Sequence, residues 1–226
     1  APAERTVVSS GYVLLSAGLS GGVPSLSAVT SGRSNPTLED ANPVAHELDD
    51  IVVVVPESFR STLPTNETTA GQGWRAIGPE NGDYWETSLR SGSTTDGLVP
   101  GLNTRDIAEG DVASGSKVTF TVDEFVGPGA WVSGLNSATR GSAFPTTRLD
   151  SFTEGSSIAR EPATGTTQYW GFTAAGVYCI SLSVTATPAG ASEPVTSPAG
   201  TLRVAVGDVE DPESADCSDG DDGYVP

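Results

Sequence analysis

The sequence predicts an all-β protein, an Ig-like antiparallel β-sandwich of roughly ten strands with long loops. Three observations carry this. No stretch of ten residues repeats its apolar positions at the helical period. Short strand-like runs recur along the chain, separated by Gly, Pro, Asn and Asp. The 226 residues include 27 Gly and 16 Pro, and only 36% are hydrophobic; that mixture suits turns and solvent-facing strand positions.

The predicted strands, in order, are residues 6–15, 25–30, 51–55, 73–77, 84–88, 117–125, 130–135, 168–172, 177–187 and 201–206. The run Ile51-Val52-Val53-Val54-Val55 is continuously apolar, as in a strand buried on both faces, and it stops at Pro56. In residues 117–122, Val118, Phe120 and Val122 face inward while Lys117, Thr119 and Thr121 face outward. Gly127-Pro128-Gly129 then turns the chain. Residues 31–48 and 136–167 read as long loops, which in a compact domain are often functional. Residues 1–207 form one β domain. Residues 208–226 form an acidic tail or linker with almost nothing apolar.

The net charge of -18 comes from 29 acids against 11 bases. Such a field repels nucleic acid and anionic membrane surfaces. No run of 18 apolar residues is present to span a membrane. The opening Ala1-Pro2-Ala3-Glu4-Arg5-Thr6 resembles a mature end left by signal cleavage, so the protein is expected to be secreted, with residues 208–226 as a linker or wall-proximal spacer. In Tyr178-Cys179-Ile180-Ser181-Leu182-Ser183-Val184, the apolar residues share one face. Cys179 therefore points to the polar face with Ser181 and Ser183. An exposed free thiol is unusual, so Cys179 is expected to bridge to Cys217 and pin the tail to this strand.

Several segments resemble the actinobacterial choice-of-anchor M surface-protein domain between about Val7 and Gly207. They are Gly11-Tyr12-Val13-Leu14, then Leu48-Asp49-Asp50-Ile51 running to Pro56, then Val118 to Phe120 and Gly127-Pro128-Gly129. Trp170-Gly171-Phe172-Thr173-Ala174-Ala175-Gly176-Val177-Tyr178 matches the repeat signature W-x-F-T-x-x-G-x-Y, and Gly200 to Gly207 follows. The resemblance implies an exported, surface-displayed protein of a high-GC Gram-positive bacterium, with accessory roles in metal or haem uptake. Two family motifs are altered. G-H-V-D is replaced by Gly11-Tyr12-Val13-Leu14, and H-x-H-x-N-W by Gly165-Thr166-Thr167-Gln168-Tyr169-Trp170. A metal site built on those histidines is not available to this chain.

His46 is the lone histidine and reads as a solvated loop residue; one His cannot build a histidine-rich metal site. Among the carboxylate pairs, Glu39-Asp40, Asp49-Asp50, Asp123-Glu124 and Asp221-Asp222, neighbours on a strand would face opposite ways, so none alone makes a glycosidase pair. Asp216, Asp219, Asp221 and Asp222 offer hard oxygen ligands for Ca²⁺ outside the EF-hand register. Asn66-Glu67-Thr68 is a sequon read as plain loop. Trp170 and Tyr178 are expected in the core. In Tyr84-Trp85 and Tyr169-Trp170, alternation sends one member of each pair outward. Tyr84 or Trp85, with Tyr169, would then form an exposed aromatic patch for a carbohydrate or protein.

The functional expectation is a non-catalytic binding or structural module with no cofactor other than Ca²⁺. Its partner would be a cell-surface protein, a glycan or a metal-uptake system. Alternatives are a metal- or haem-acquisition accessory protein, a carbohydrate-active enzyme on a sandwich, or a self-assembling surface fibre or layer, which would make it a homo-oligomer.

Overall fold

A computed structural model of the chain describes residues 5–31, 43–65, 73–87, 97–140, 142–214 and 216–217. Among them are seventeen strands: β1 (Thr6–Val8), β2 (Gly11–Ser20), β3 (Val23–Ser31), β4 (Val44–His46), β5 (Ile51–Val55), β6 (Arg60–Thr62), β7 (Asp83–Glu86), β8 (Leu98–Asn103), β9 (Val118–Val126), β10 (Trp131–Gly134), β11 (Arg148–Asp150), β12 (Ser157–Arg160), β13 (Gly165–Thr167), β14 (Tyr169–Phe172), β15 (Gly176–Ala186), β16 (Val195–Thr196) and β17 (Gly200–Val206). Helical structure among the described residues is confined to 3-10 turns of three or four residues. No described helix is long and apolar enough to cross a membrane.

The strands form three sheets. Sheet I runs β1-β5-β17-β15-β9-β12, with β16 paired to β15; sheet II runs β13-β8-β2-β3-β4; sheet III runs β11-β10-β14-β7-β6. The all-β expectation holds, but the count of ten strands is too low. The sheets are also not uniformly antiparallel, since β1–β5, β5–β17 and β2–β8 are parallel pairs. The apolar run of β5 accounts for this. A strand buried on both faces can sit inside a sheet with parallel neighbours, and Ile51, Val52, Val53 and Val55 are fully buried.

One hydrophobic cluster joins all three sheets. Ile51, Phe120, Tyr178, Ile180 and Val204 of sheet I meet Val13, Leu15 and Leu102 of sheet II and Trp85, Trp131, Trp170 and Phe172 of sheet III. A second cluster, built on Leu63, Trp74, Ile77, Tyr84 and Val132, covers the other face of sheet III.

Two corrections have local causes. Residues 73–77 are not a strand but a 3-10 turn, Gly73–Ala76. Trp74 and Ile77, three apart, are both buried, and a spacing of three is the 3-10 period. The expected loop 136–167 contains β11, β12 and β13. From β13 into β14 the chain changes sheets. Gly165–Thr167 pairs with β8 in sheet II, Gln168 N donates to Pro100 O at 2.8 Å, and Tyr169–Phe172 pairs with β10 and β7 in sheet III.

The signature from Trp170 to Tyr178 folds as a corner. Trp170 and Phe172 are core residues, and Phe172 packs edge-on against Tyr178 with centroids 4.9 Å apart. Thr173 Oγ1 accepts from Ala130 N at 2.7 Å. Tyr178 Oη donates to Ala174 O at 2.8 Å and accepts from Ala174 N at 3.1 Å. Gly171 lies under the Tyr84 ring: a Cβ there would sit 1.9 Å from Tyr84 Oη. Replacing Gly171 by Ala is therefore expected to destabilise the fold by about 1–3 kcal/mol through overpacking, measured by urea denaturation.

Burial raises the pKa of Tyr178, although its hydrogen bond with Ala174 opposes the shift; burial and then the Glu86 charge raise that of Tyr84. Both phenols thus hold their protons in the folded state beyond the point, about pH 10, where unfolded tyrosine ionises. Their contribution to stability is fully present below that pH and is lost as pH rises through the folded values. Stability should fall steeply in alkali, with unfolding and phenolate absorbance appearing together. Tyr178→Phe should make the fall shallower while costing about 1 kcal/mol at neutral pH.

Candidate functional site

The polar and aromatic side chains that could serve a site converge on sheet III. Strand alternation sends Trp85 to the main core and Tyr84 and Glu86 to the outer face. The cross-strand register places Glu86 opposite Gly171, Gly171 opposite Val132, and Val132 opposite Asp150. Glu86 and Asp150 therefore share one outer row.

Glu86 is 5% exposed. Its carboxylate accepts from Thr139 Oγ1 at 2.6 Å, from Ala138 N at 2.7 Å and from Ser137 Oγ. One side chain thus holds the turn that follows β10. Asp150, 2% exposed, accepts from Thr153 N at 2.7 Å and Phe152 N at 3.2 Å, and pairs with Arg148 Nε at 2.8 Å. The Arg148 guanidinium lies over the Phe144 and Phe152 rings, 4.7 and 5.4 Å from their centroids.

Three strand spacings separate the backbones of Glu86 and Asp150 by roughly 14 Å. Paired glycosidase carboxyls stand about 5–9.5 Å apart. Each of these acids is also occupied by donors from its own loop. Neither was singled out from the sequence, which drew attention to doubled acids. The available signal was a lone acid inside an aromatic strand, as in Tyr84-Trp85-Glu86.

The aromatic expectation was right about faces and wrong about exposure. Tyr84 and Tyr169 do project from the outer face of sheet III, but they are only 1% and 9% exposed. Trp74 packs edge-on against Tyr84 with centroids 6.0 Å apart, and Arg140 lies over the Tyr169 ring at 5.7 Å. The second hydrophobic cluster roofs the face that alternation leaves outward. Trp85, 4% exposed, sits in the main core, and its Nε1 donates to Glu57 Oε2 at 3.0 Å. Arg60 lies over the Trp85 ring at 5.4 Å and binds both Glu57 and Asp83.

The bridge Cys179–Cys217 is present, with Cα atoms 5.7 Å apart. Of the four tail aspartates, Asp216 is described, and its carboxylate accepts from Cys217 N at 2.7 Å. Asp219, Asp221 and Asp222 lie outside the described residues, as do Asn66, Glu39 and Asp40. No cluster of three or more His, Cys, Asp or Glu side chains suited to a metal occurs among the described residues. His46 is a strand residue on β4, not a loop residue, and its Nε2 is 3.0 Å from Thr30 Oγ1. Asp49 and Asp50 lie in a 3-10 turn, and Asp123 accepts from Ser183 Oγ at 3.1 Å.

No protein-family model, curated protein or solved structure matches the chain. The resemblance described above rests on its motifs alone.

Glu86→Ala removes the acceptor for three donors and should destabilise the protein by about 2–4 kcal/mol. Glu86→Gln keeps the shape and should cost less. Denaturant titration gives both values. Limited proteolysis should show earlier cleavage between residues 136 and 142 in the alanine variant.

Proposed function

We propose that this chain is a non-catalytic binding or structural module, secreted or displayed at the surface of an actinobacterial cell, in which sheet I faces sheets II and III as an Ig-like sandwich. The observation that carries the reading is the use made of the buried acids and aromatics. Glu86 and Asp150 each hold a loop, and Tyr84, Trp85 and Tyr169 pack in the interior. The disulfide suits an oxidising compartment, and the strongly acidic surface suits solubility outside the cell. The partner is a surface protein, a wall glycan or a component of a metal-uptake system.

The edges weigh against the fibre reading. Among the described residues, the two outermost strands of each sheet are β1 and β12, β13 and β4, and β11 and β6. Each is three or four residues long. Short edges blunt strand-to-strand association.

Purified protein should sediment with isolated cell walls or with a surface-protein extract, and should turn over none of a panel of glycan substrates. Glycan cleavage that is abolished by Glu86→Gln or Asp150→Asn in a folded variant would overturn the non-catalytic reading. Calorimetric titration with Ca²⁺ and haem tests the metal-uptake alternative, for which saturable heat at one equivalent is the supporting result.

A further inference from the structure

The outer face of sheet I carries a row that ends at the disulfide. Val7 pairs with Val52, Val52 with Arg203, Arg203 with Cys179, and Cys179 with Val126. Directly opposed residues share a face, so these side chains lie side by side. This face points away from the core, yet Val52 and the nearby Ala205 are fully buried and Cys179 is 5% exposed.

The returning tail lies over this side of the sheet. After β17, the 3-10 turn Pro212–Ser214 packs against β1 and β5. Arg5 Nη1 donates to Glu213 O at 3.2 Å, and Cys217 closes the strap onto Cys179. Among the described residues, the strap also bonds to itself: Ser214 N donates to Asp211 O, and Cys217 N to Asp216. The sulfur bridge is the covalent tie of this strap to sheet I. Cys217 is partly exposed, while Cys179 is buried, so an incoming thiolate reaches Cys217 first.

Arg203 supplies a second, independent observation. It faces Cys179 across the ladder, its side chain is 12% exposed, and its Nη1 stands 3.4 Å from Asp49 Oδ1. Its Nε is buried and has no hydrogen-bond partner. An unsatisfied buried donor calls for an explanation. Here the donor belongs to the residue directly opposite Cys179 in the ladder, whose sulfur becomes an anion when the bridge opens, and a neighbouring guanidinium stabilises a thiolate.

We propose that Cys179–Cys217 is a reducible latch: an external dithiol opens it, Arg203 holds the departing Cys179 thiolate, and the strap lifts from a valine strip while the three-sheet core stays folded. A reductant thiolate attacks Cys217 Sγ, and the electron pair of the S–S bond leaves on Cys179 Sγ. The reductant's second thiol then displaces Cys217. The dithiol ends as a disulfide and the protein as two thiols, with Cys179 taking up a proton from solvent.

The full oxidised chain is exposed to dithiothreitol without denaturant, and samples are alkylated and weighed over time. Hydrogen exchange and far-ultraviolet circular dichroism are followed in parallel. Reduction should raise exchange in residues 208–217 and in β5, leaving β9 and the circular dichroism unchanged. Arg203→Gln should slow reduction by about tenfold. Asp49→Asn, a change at an exposed residue away from the bridge, should accelerate it by removing the carboxylate that competes with the thiolate for the guanidinium, while the Nη1 contacts to Asp49 O and Thr201 O remain. A bridge that only adds stability predicts one rate for all three proteins. Equal rates in the wild type and Asp49→Asn, or reduction that proceeds only with loss of β9 protection, would overturn the latch, whether or not Arg203→Gln folds. These readouts do not depend on where the protein is displayed or on what it binds.

Discussion

The segment from Gly165 to Phe172 belongs to two sheets, and the architecture depends on that crossing. Its first residues complete sheet II against β8, and its last residues lie at the centre of sheet III between β10 and β7. At the crossing, Gln168 N donates to Pro100 O. Pro100 has no N–H of its own, but the junction needs only its carbonyl. Two residues on, Trp170 N donates to Thr87 Oγ1 at 2.8 Å, and Thr87 N donates back to Trp170 O at 2.9 Å. Any shift of this segment would slide two sheets at once, and a one-residue slip would turn Trp170 out of the core.

Around that crossing, several buried polar groups have partners that specify position. Gln168 is fully buried and accepts from Ser133 Oγ through its side-chain oxygen, while its Nε2 has no hydrogen-bond partner. Glu86 and Asp150 do the same for the loops on the far side of sheet III. Buried polar groups cost stability unless bonded, and once bonded they exclude alternative registers. The hydrophobic clusters provide cohesion, while these few hydrogen bonds select the arrangement.

Much of this was legible in the sequence, and the gaps have physical reasons. The alternation in residues 177–187 correctly separated Tyr178 and Ile180 from Cys179, and so led to the bridge. The apolar run of β5 correctly signalled burial on both faces. β8, Leu98–Asn103, is absent from the strands expected from the sequence, and its Pro100 and Gly101 are residues that ordinarily interrupt a strand; in the fold, Gly101 is needed because a Cβ would come within 2.6 Å of Thr166 O. Strands of two to four residues, such as β4, β6, β11 and β13, are too short to show a period and exist because neighbours recruit them. The aromatic patch failed for a related reason. Alternation reports which face a side chain takes, but it does not report that Trp74, Phe144 and Phe152 come from distant loops to cover that face.

The parallel pairing of β5 with β17 bears on how the chain reaches this state. Arg203 lies beside Val52 and Val206 beside Val55, partners separated by about 150 residues, and contacts of such long range make folding slow. Sheet I stays divided until β17 has been synthesised, with β5 lacking one of its neighbours and its valines open to other chains. Sheets II and III need no strand beyond β14, so sheet I is the last of the three to close. The late arrival of the strand that closes sheet I makes dilution or a holding chaperone the condition for efficient refolding.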